Sequence, residues 1–216
     1  MSMVSCQLFE GITSAECERM FVCFGAREKT YASGEVICEF TGGSKAVGVL
    51  LSGSADLVRL DVDGDRVILE TMEEGGVFGE VFAFSGSNGD STFIECRQPC
   101  RVMYLDYDQI TKRCENACTH HSVLVQNMLR LMSEKAQTLS ERVDVLSRRS
   151  IRDKLLCYFR QQSMKTGSAA FCLPFSLSVL ADYIATDRSA MMRELKRLRE
   201  EEIVFSDGRK FTLELS

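Results

Sequence analysis

The stretch SLSVLADYIATDRSAMMRELKRLREE, residues 176–201, contains two helix starts with almost nothing between them. Ser176 and Asp187 each carry a short side-chain oxygen that can accept an unpaired N–H of a first helical turn, and each is followed by an amphipathic pattern. The first helix is expected over Leu177–Ile184, with Leu180, Ala181 and Ile184 inward. The second is expected over Arg188–Glu201, with Met191, Met192, Leu195 and Leu198 inward. Only Ala185 and Thr186 separate them, so the two helices must cross steeply, and the small Ala181 lets them approach closely. That is helix-turn-helix geometry. The second helix then presents Asp187, Arg188 and Ser189 and, one turn on, Arg193 to base edges in a major groove. Arginine's fork matches guanine, and serine can contact bases or phosphates. Lys196, Arg197 and Arg199 continue the basic surface. Beyond it, Glu202–Ser206 and Lys210–Leu215 flank Asp207-Gly208 as a hairpin with Arg209 and Lys210 at its tip, a wing suited to phosphate contacts. The expected DNA-binding set is Ser176, Asp187, Arg188, Ser189, Arg193, Lys196 and Arg209. A small helical hairpin whose arginines are merely solvated is the plainer alternative, but it leaves the agreement of caps, spacing, wing and charge unexplained.

The charge distribution agrees with this reading. The 216 residues carry a net charge of −5, which by itself argues against a polyanionic partner. Residues 148–216, however, hold 13 Lys/Arg against 9 Asp/Glu, whereas residues 1–147 hold 13 against 22. Such asymmetry suggests a two-part chain with one nucleic-acid-binding end.

Upstream, Ser150–Gln162 reads as a helix, and residues 107–147 contain no Pro or Gly. There Val125, Met128, Met132, Ala136, Leu139, Val143 and Leu146 recur at spacings of three or four. A stripe of that length favours a seam between two copies of the chain, the alternative being that it packs only on its own β-domain. From Thr30 to Asp106 the chain reads as short strands between glycine turns, with Asp63-Gly64 marking a hairpin and the turn spacing suggesting a sandwich or barrel. Thr13–Phe24 reads as a short helix.

No run approaches the ~20 apolar residues of a membrane span, and no basic region followed by an apolar stretch marks a secretory signal. A cytoplasmic, non-membrane protein is expected, with its ten cysteines reduced. No nucleophile–base pair or metal signature points to catalysis, so an enzyme is not expected.

LFEGI at Leu8–Ile12, LSGSADLVRLDVDGDRVIL at Leu51–Leu69, VFGEVFAF at Val77–Phe84 and LADYIATDRSAMMRELKRL at Leu180–Leu198 together resemble the Crp/Fnr family of bacterial transcription regulators. The resemblance covers nearly the whole chain. It implies an α+β fold: an N-terminal β-roll of the cyclic-nucleotide-binding, jelly-roll kind over residues 1–106, a dimerisation helix over 107–147, and a C-terminal winged helix-turn-helix over 148–216. It further implies a homodimer on double-stranded promoter DNA, RNA polymerase as a partner, and a small-molecule or redox effector of unknown identity sensed in the roll. One departure is Ala185, where many members carry Gly.

The implied effector pocket comprises Gly79, Glu80, Val81, Asp90, Ser91, Thr92, Met128, Met132 and Lys135. Members that bind cyclic nucleotides carry an Arg against the cyclic phosphate where this chain has Asp90. A carboxylate facing a phosphodiester is repulsive by about several kcal/mol at intermediate dielectric, so cyclic AMP is not the expected effector. Lys135 and Ala136 also depart from the hydroxyl-bearing positions that meet adenine. No cofactor and no metal is assigned. Cys6, Cys17 and Cys23 are too widely spaced for the family's iron–sulfur pattern. Cys114, Cys118 and His121 share a helical face but lack a fourth ligand. Cys96 and Cys100 flank Pro99 as a possible redox pair, and haem ligation by His120 or His121 rests on a lone imidazole. The alternative function is a regulatory or scaffold module acting through protein contacts, which has no need of Arg188, Ser189 and Arg193.

Overall fold

The computed structural model describes residues 6–40, 46–60, 63–85, 91–111 and 119–214, the side chains of 83–85 and 119 excepted. The chain forms two compact units, Met1–Ser133 and Glu134–Ser216. The architecture is α+β, as the sequence leads one to expect.

In the first unit a 3-10 turn (Gln7–Phe9) and α1 (Ser14–Cys23) precede β1 (Arg27–Tyr31), β2 (Val36–Glu39), β3 (Ala46–Ser52), β4 (Ala55–Leu60), β5 (Arg66–Met72) and β6 (Val77–Phe78). Then come α2 (Glu80–Ser85), β7 (Thr92–Cys96), β8 (Cys100–Asp106) and α3 (Tyr107–Thr111). The strands make two four-stranded antiparallel sheets, ordered β1-β8-β3-β6 and β2-β7-β4-β5. A core containing Ile37, Phe40, Leu50, Phe78, Ile94 and Val102 draws on both sheets. The first sheet is covered on its other face as well, where Val47, Val49, Met103 and Leu105 pack with Leu8, Phe9, Met20, Phe24, Ile110, Leu124 and Met128. Burial of both faces explains why AVGVLL is a continuous apolar run. Edge strand β5 is exposed along most of its length. Gly48 is dictated by packing, since a Cβ there would lie 2.2 Å from Cζ of Phe78.

The Leu8–Ile12 segment is pinned by Asn127, itself 9% exposed, whose Nδ2 donates to the carbonyls of Leu8 (3.0 Å) and Glu10 (2.8 Å). Arg130 pairs with the Glu10 carboxylate beside it.

Helix α4 (Thr119–Leu146) runs across the division between the units. The second unit continues with α5 (Ile151–Thr166), β9 (Ala170–Cys172), α6 (Leu177–Tyr183), α7 (Arg188–Glu200), β10 (Val204–Asp207) and β11 (Lys210–Leu213). Its core joins Leu155 and Phe159 of α5 to Leu180 and Ala181 of α6, Met191, Leu195 and Leu198 of α7, and Phe171, Val204 and Phe211 of the strands. Two elements go beyond the sequence reading. Helix α5 extends to Thr166, past the expected Gln162, with Ser150 accepting from the Asp153 N–H at its start. Strand β9 pairs with β11 and turns the expected two-stranded wing into a three-stranded sheet ordered β10-β11-β9.

Candidate nucleic-acid interface

Both expected caps form. The Ser176 hydroxyl accepts from the Val179 N–H (3.4 Å), and the Asp187 carboxylate accepts from the Ala190 N–H (2.9 Å). Ser189 donates its hydroxyl to Asp187. That hydroxyl first, and then the Ala190 N–H, hold the Asp187 carboxyl below its usual range. Asp187 and Ser189 therefore order the first turn of α7, while Arg188 and Arg193 stand exposed beside it.

The turn between α6 and α7 puts Ala185 at φ +48°, in the left-handed region that costs a residue with a Cβ about 1 kcal/mol. Lys154 of α5 braces it. Its Nζ donates to the Ile184 carbonyl (2.9 Å) and reaches the Ala185 carbonyl (3.5 Å), supplying a cation where the last carbonyls of α6 lack helical partners. Lys154→Met keeps most of the aliphatic stem and removes this bond. It is expected to lower unfolding stability by about 1.5 kcal/mol in urea titration; an unchanged midpoint would show that the brace is idle.

Of the cations on α7, Lys196 and Arg197 are paired, whereas Arg188, Arg193 and Arg199 are exposed with no ion pair among the described residues. Towards its C-terminal end, Lys196 pairs with Glu200 (3.6 Å) and Arg197 with Glu194 (3.3 Å), while Arg152 bridges Glu194 and Glu201. Among the described residues no ion pair or side-chain hydrogen bond engages Arg188 and Arg193, nor Arg209 on the wing, and all three are exposed. Arg188 stands in the first turn of α7 and Arg193 in the second, at the end where the peptide dipoles also favour an anion.

On α4 the apolar stripe separates into two roles. Met128 is 1% exposed within the first unit's core, so it is not available to a second chain as the dimer-seam reading supposed. Its neighbour Leu129 is 59% exposed, and Leu139 (63%), Val143 (61%) and Leu146 are exposed as well. Val125 and Met132 are half-buried and Ala136 is exposed. With Leu129 in place of Met128, the series 125, 129, 132, 136, 139, 143, 146 alternates spacings of four and three without a break, the signature of a coiled-coil seam.

The expected effector-pocket residues are brought together only in part. Gly79 adopts φ +82°, and a Cβ on it would lie 2.6 Å from the Ala46 carbonyl oxygen, so only glycine fits. Glu80 and Thr92 are buried, whereas Val81 and Ser91 are exposed. Asp90 lies outside the described residues. Met128 and Met132 pack in the core under α1, on the outer side of the β1-β8-β3-β6 sheet, and do not line the sandwich interior. Lys135 is half-buried. That interior instead carries Phe82 stacked on Phe40 (4.1 Å) and a hydrogen bond between the hydroxyls of Tyr31 and Tyr104 (2.5 Å). Burial, with the Tyr31 contact, pushes the Tyr104 phenol far above its usual range.

Cys114 and Cys118 lie outside the described residues. His121 meets the Ile110 carbonyl (2.6 Å), and His120 lies 3.2 Å from Glu16. Cys6, Cys17, Cys96 and Cys100 are buried, and Cys23 is exposed. Burial raises the Cys17 thiol to about 11 and those of Cys38 and Cys96 to about 12, which disfavours the reactive thiolate. Among the described residues no group of three or more His, Cys, Asp or Glu is placed to hold a metal ion, and no helix is long and apolar enough to cross a membrane.

In comparison with known proteins, residues 28–117 match the cyclic nucleotide-binding domain family. The chain is 22% identical over 163 residues to the cAMP-activated global transcriptional regulator CRP of Pasteurella multocida, covering 74% of this chain and 77% of that one. Its fold is similar to that of the catabolite activator protein of Thermus thermophilus (TM-score 0.56, 19% identity, 96% and 93% of the two chains). It is also similar to CprK complexed with OCPA (TM-score 0.69, 13% identity, 91% and 89%).

Proposed function

We propose that this chain, a transcription regulator of the Crp/Fnr type, binds promoter DNA as a homodimer under the control of an effector or redox signal received in its β-roll. The observation that carries the proposal is the pair of exposed guanidinium groups, Arg188 and Arg193, with no hydrogen bond or ion pair among the described residues, at the start of a helix whose N-cap, turn and brace are all built. Arg188 and Arg193 read base edges, Arg209 on the wing meets phosphate, and Ser176 and Asp187 fix the two helices that aim them. The seam of Leu129, Leu139, Val143 and Leu146 pairs two α4 helices. The pair sets the separation of the recognition helices, which must be about one DNA turn, roughly 34 Å, for both to enter the major groove. An effector that prefers one arrangement of that pair shifts the population competent for DNA, and RNA polymerase is the partner that converts promoter occupancy into a change of transcription. Binding to a specific duplex and to a scrambled one, in wild type and in an arginine-to-alanine variant, tests the proposal.

Cyclic AMP is not the effector in this reading. A match to cyclic nucleotide-binding domains and a relative named as cAMP-activated favour the opposite view. Asp90 stands in the sequence where a phosphate-neutralising Arg is required, and a carboxylate facing a cyclic phosphate repels it. Titration calorimetry with cyclic AMP up to millimolar concentration should give no saturable heat. A dissociation constant in the micromolar range would overturn the assignment and make Asp90 a residue that points away from the pocket.

A further inference from the structure

We propose that a groove between α5 and the wing, on the side carrying the C-terminal end of α7, docks a protein segment that presents an apolar side chain flanked by basic residues. The groove has a volume of about 660 Å³. Its lining is mixed: Leu156 of α5, Ile203, Leu213 of β11 and Phe205 of β10 supply apolar surface beside Arg160 and three carboxylates. Along β10 burial alternates, so Val204 enters the core while Phe205 is 48% exposed. Any polar residue would satisfy the strand at Phe205, yet the chain keeps an aromatic ring open to solvent at the mouth of a groove. Aromatic rings in such settings are the usual anchors of protein contacts.

The rim states the charge of the partner. Glu201 is held by Arg152. Glu202 and Glu214 also line the groove and, among the described residues, neither has an ion-pair partner. Glu202 ends α7 at φ +60°, its N–H bonded to the Arg199 carbonyl, in a position where glycine is the unstrained choice. The chain keeps a carboxylate there instead. Carboxylates at this rim repel nucleic acid and anionic lipid and attract Lys or Arg. Arg160 of α5 also lines the groove and disfavours a uniformly basic segment. The small area fits a transient contact. This surface is separate from Arg188 and Arg193 at the other end of α7, and the proposal does not require DNA to be bound.

The full chain, methyl-labelled at Leu and Ile, tests this with three synthetic peptides: one with Leu and Phe between lysines, one with the same anchors between glutamates, and one with lysines between serines. Expected are shifts at Leu156, Ile203 and Leu213 with the first peptide alone, bound at least ten-fold more tightly than the others. Glu202→Gly relieves the left-handed backbone, so it should leave the thermal midpoint unchanged or raised while weakening that peptide at least ten-fold. Phe205→Ser should weaken it similarly. Absence of binding, equal binding of the glutamate or serine peptide, retained affinity in Glu202→Gly, or displacement of the peptide by duplex DNA would each overturn the proposal.

Discussion

Alanine at both Arg188 and Arg193 should remove the preference of this chain for its specific duplex, while mass, fold and weak non-specific binding persist. Each bidentate contact of an arginine with guanine contributes about 1–3 kcal/mol of discrimination, so the double variant should lose about 3–4 kcal/mol, several hundred-fold in the specific-to-scrambled ratio. The fold has no stake in either side chain, because both are exposed and neither is bonded within the described structure. Arg209 should behave differently. On the wing it neutralises phosphate irrespective of sequence, so its removal should weaken both duplexes alike and reduce the salt dependence by about one released counterion. Fluorescence anisotropy at two or three salt concentrations separates the two patterns. An unchanged ratio in the double variant would contradict the role given to α7.

The second large effect concerns the seam. Leu139→Glu together with Val143→Glu should convert a dimer into a folded monomer of 24.2 kDa, read by light scattering or sedimentation. Both side chains are more than half exposed in the single chain, so a carboxylate costs the isolated fold little and a paired helix much. Loss of the second recognition helix should reduce affinity for a two-half-site operator by about a hundred-fold or more, since the second contact is no longer intramolecular. Met128→Glu is the informative contrast. At 1% exposure it lies in the first unit's core and should destabilise the fold by about 3 kcal/mol or more through burial of an unpaired charge. A wild-type chain that sediments at 24.2 kDa, or a double variant that stays dimeric, would contradict the seam.

The parts of this fold most legible in the sequence are those whose signal is local. Ser176 and Asp187 announce α6 and α7 because a capping side chain acts within three residues of itself, and both bonds form as expected. Asp63-Gly64 similarly marks the β4–β5 hairpin. Long-range features left weaker traces. Strand β9 has only three residues, too short for alternation to register, and forms because β11 offers an edge. Strand β1, REKTY, reads as polar because all but Tyr31 are exposed. The Lys154 brace joins residues thirty positions apart and has no motif. Met128 and Leu129 fit a mixed three-and-four spacing equally well; strict heptad alternation selects Leu129, and Met128 is buried in the first unit's core. The sandwich interior is the least legible, because Phe40, Phe82 and Tyr104 come together there from separate elements.

The central claim, that two copies of this chain read DNA through paired recognition helices, is tested most directly by selecting the purified protein against a library of randomised duplexes and sequencing the retained fraction. The account predicts an enriched two-fold symmetric site whose half-sites lie about one helical turn apart. Retention without an enriched sequence, or enrichment of a single unrepeated half-site by a chain of monomer mass, would contradict it.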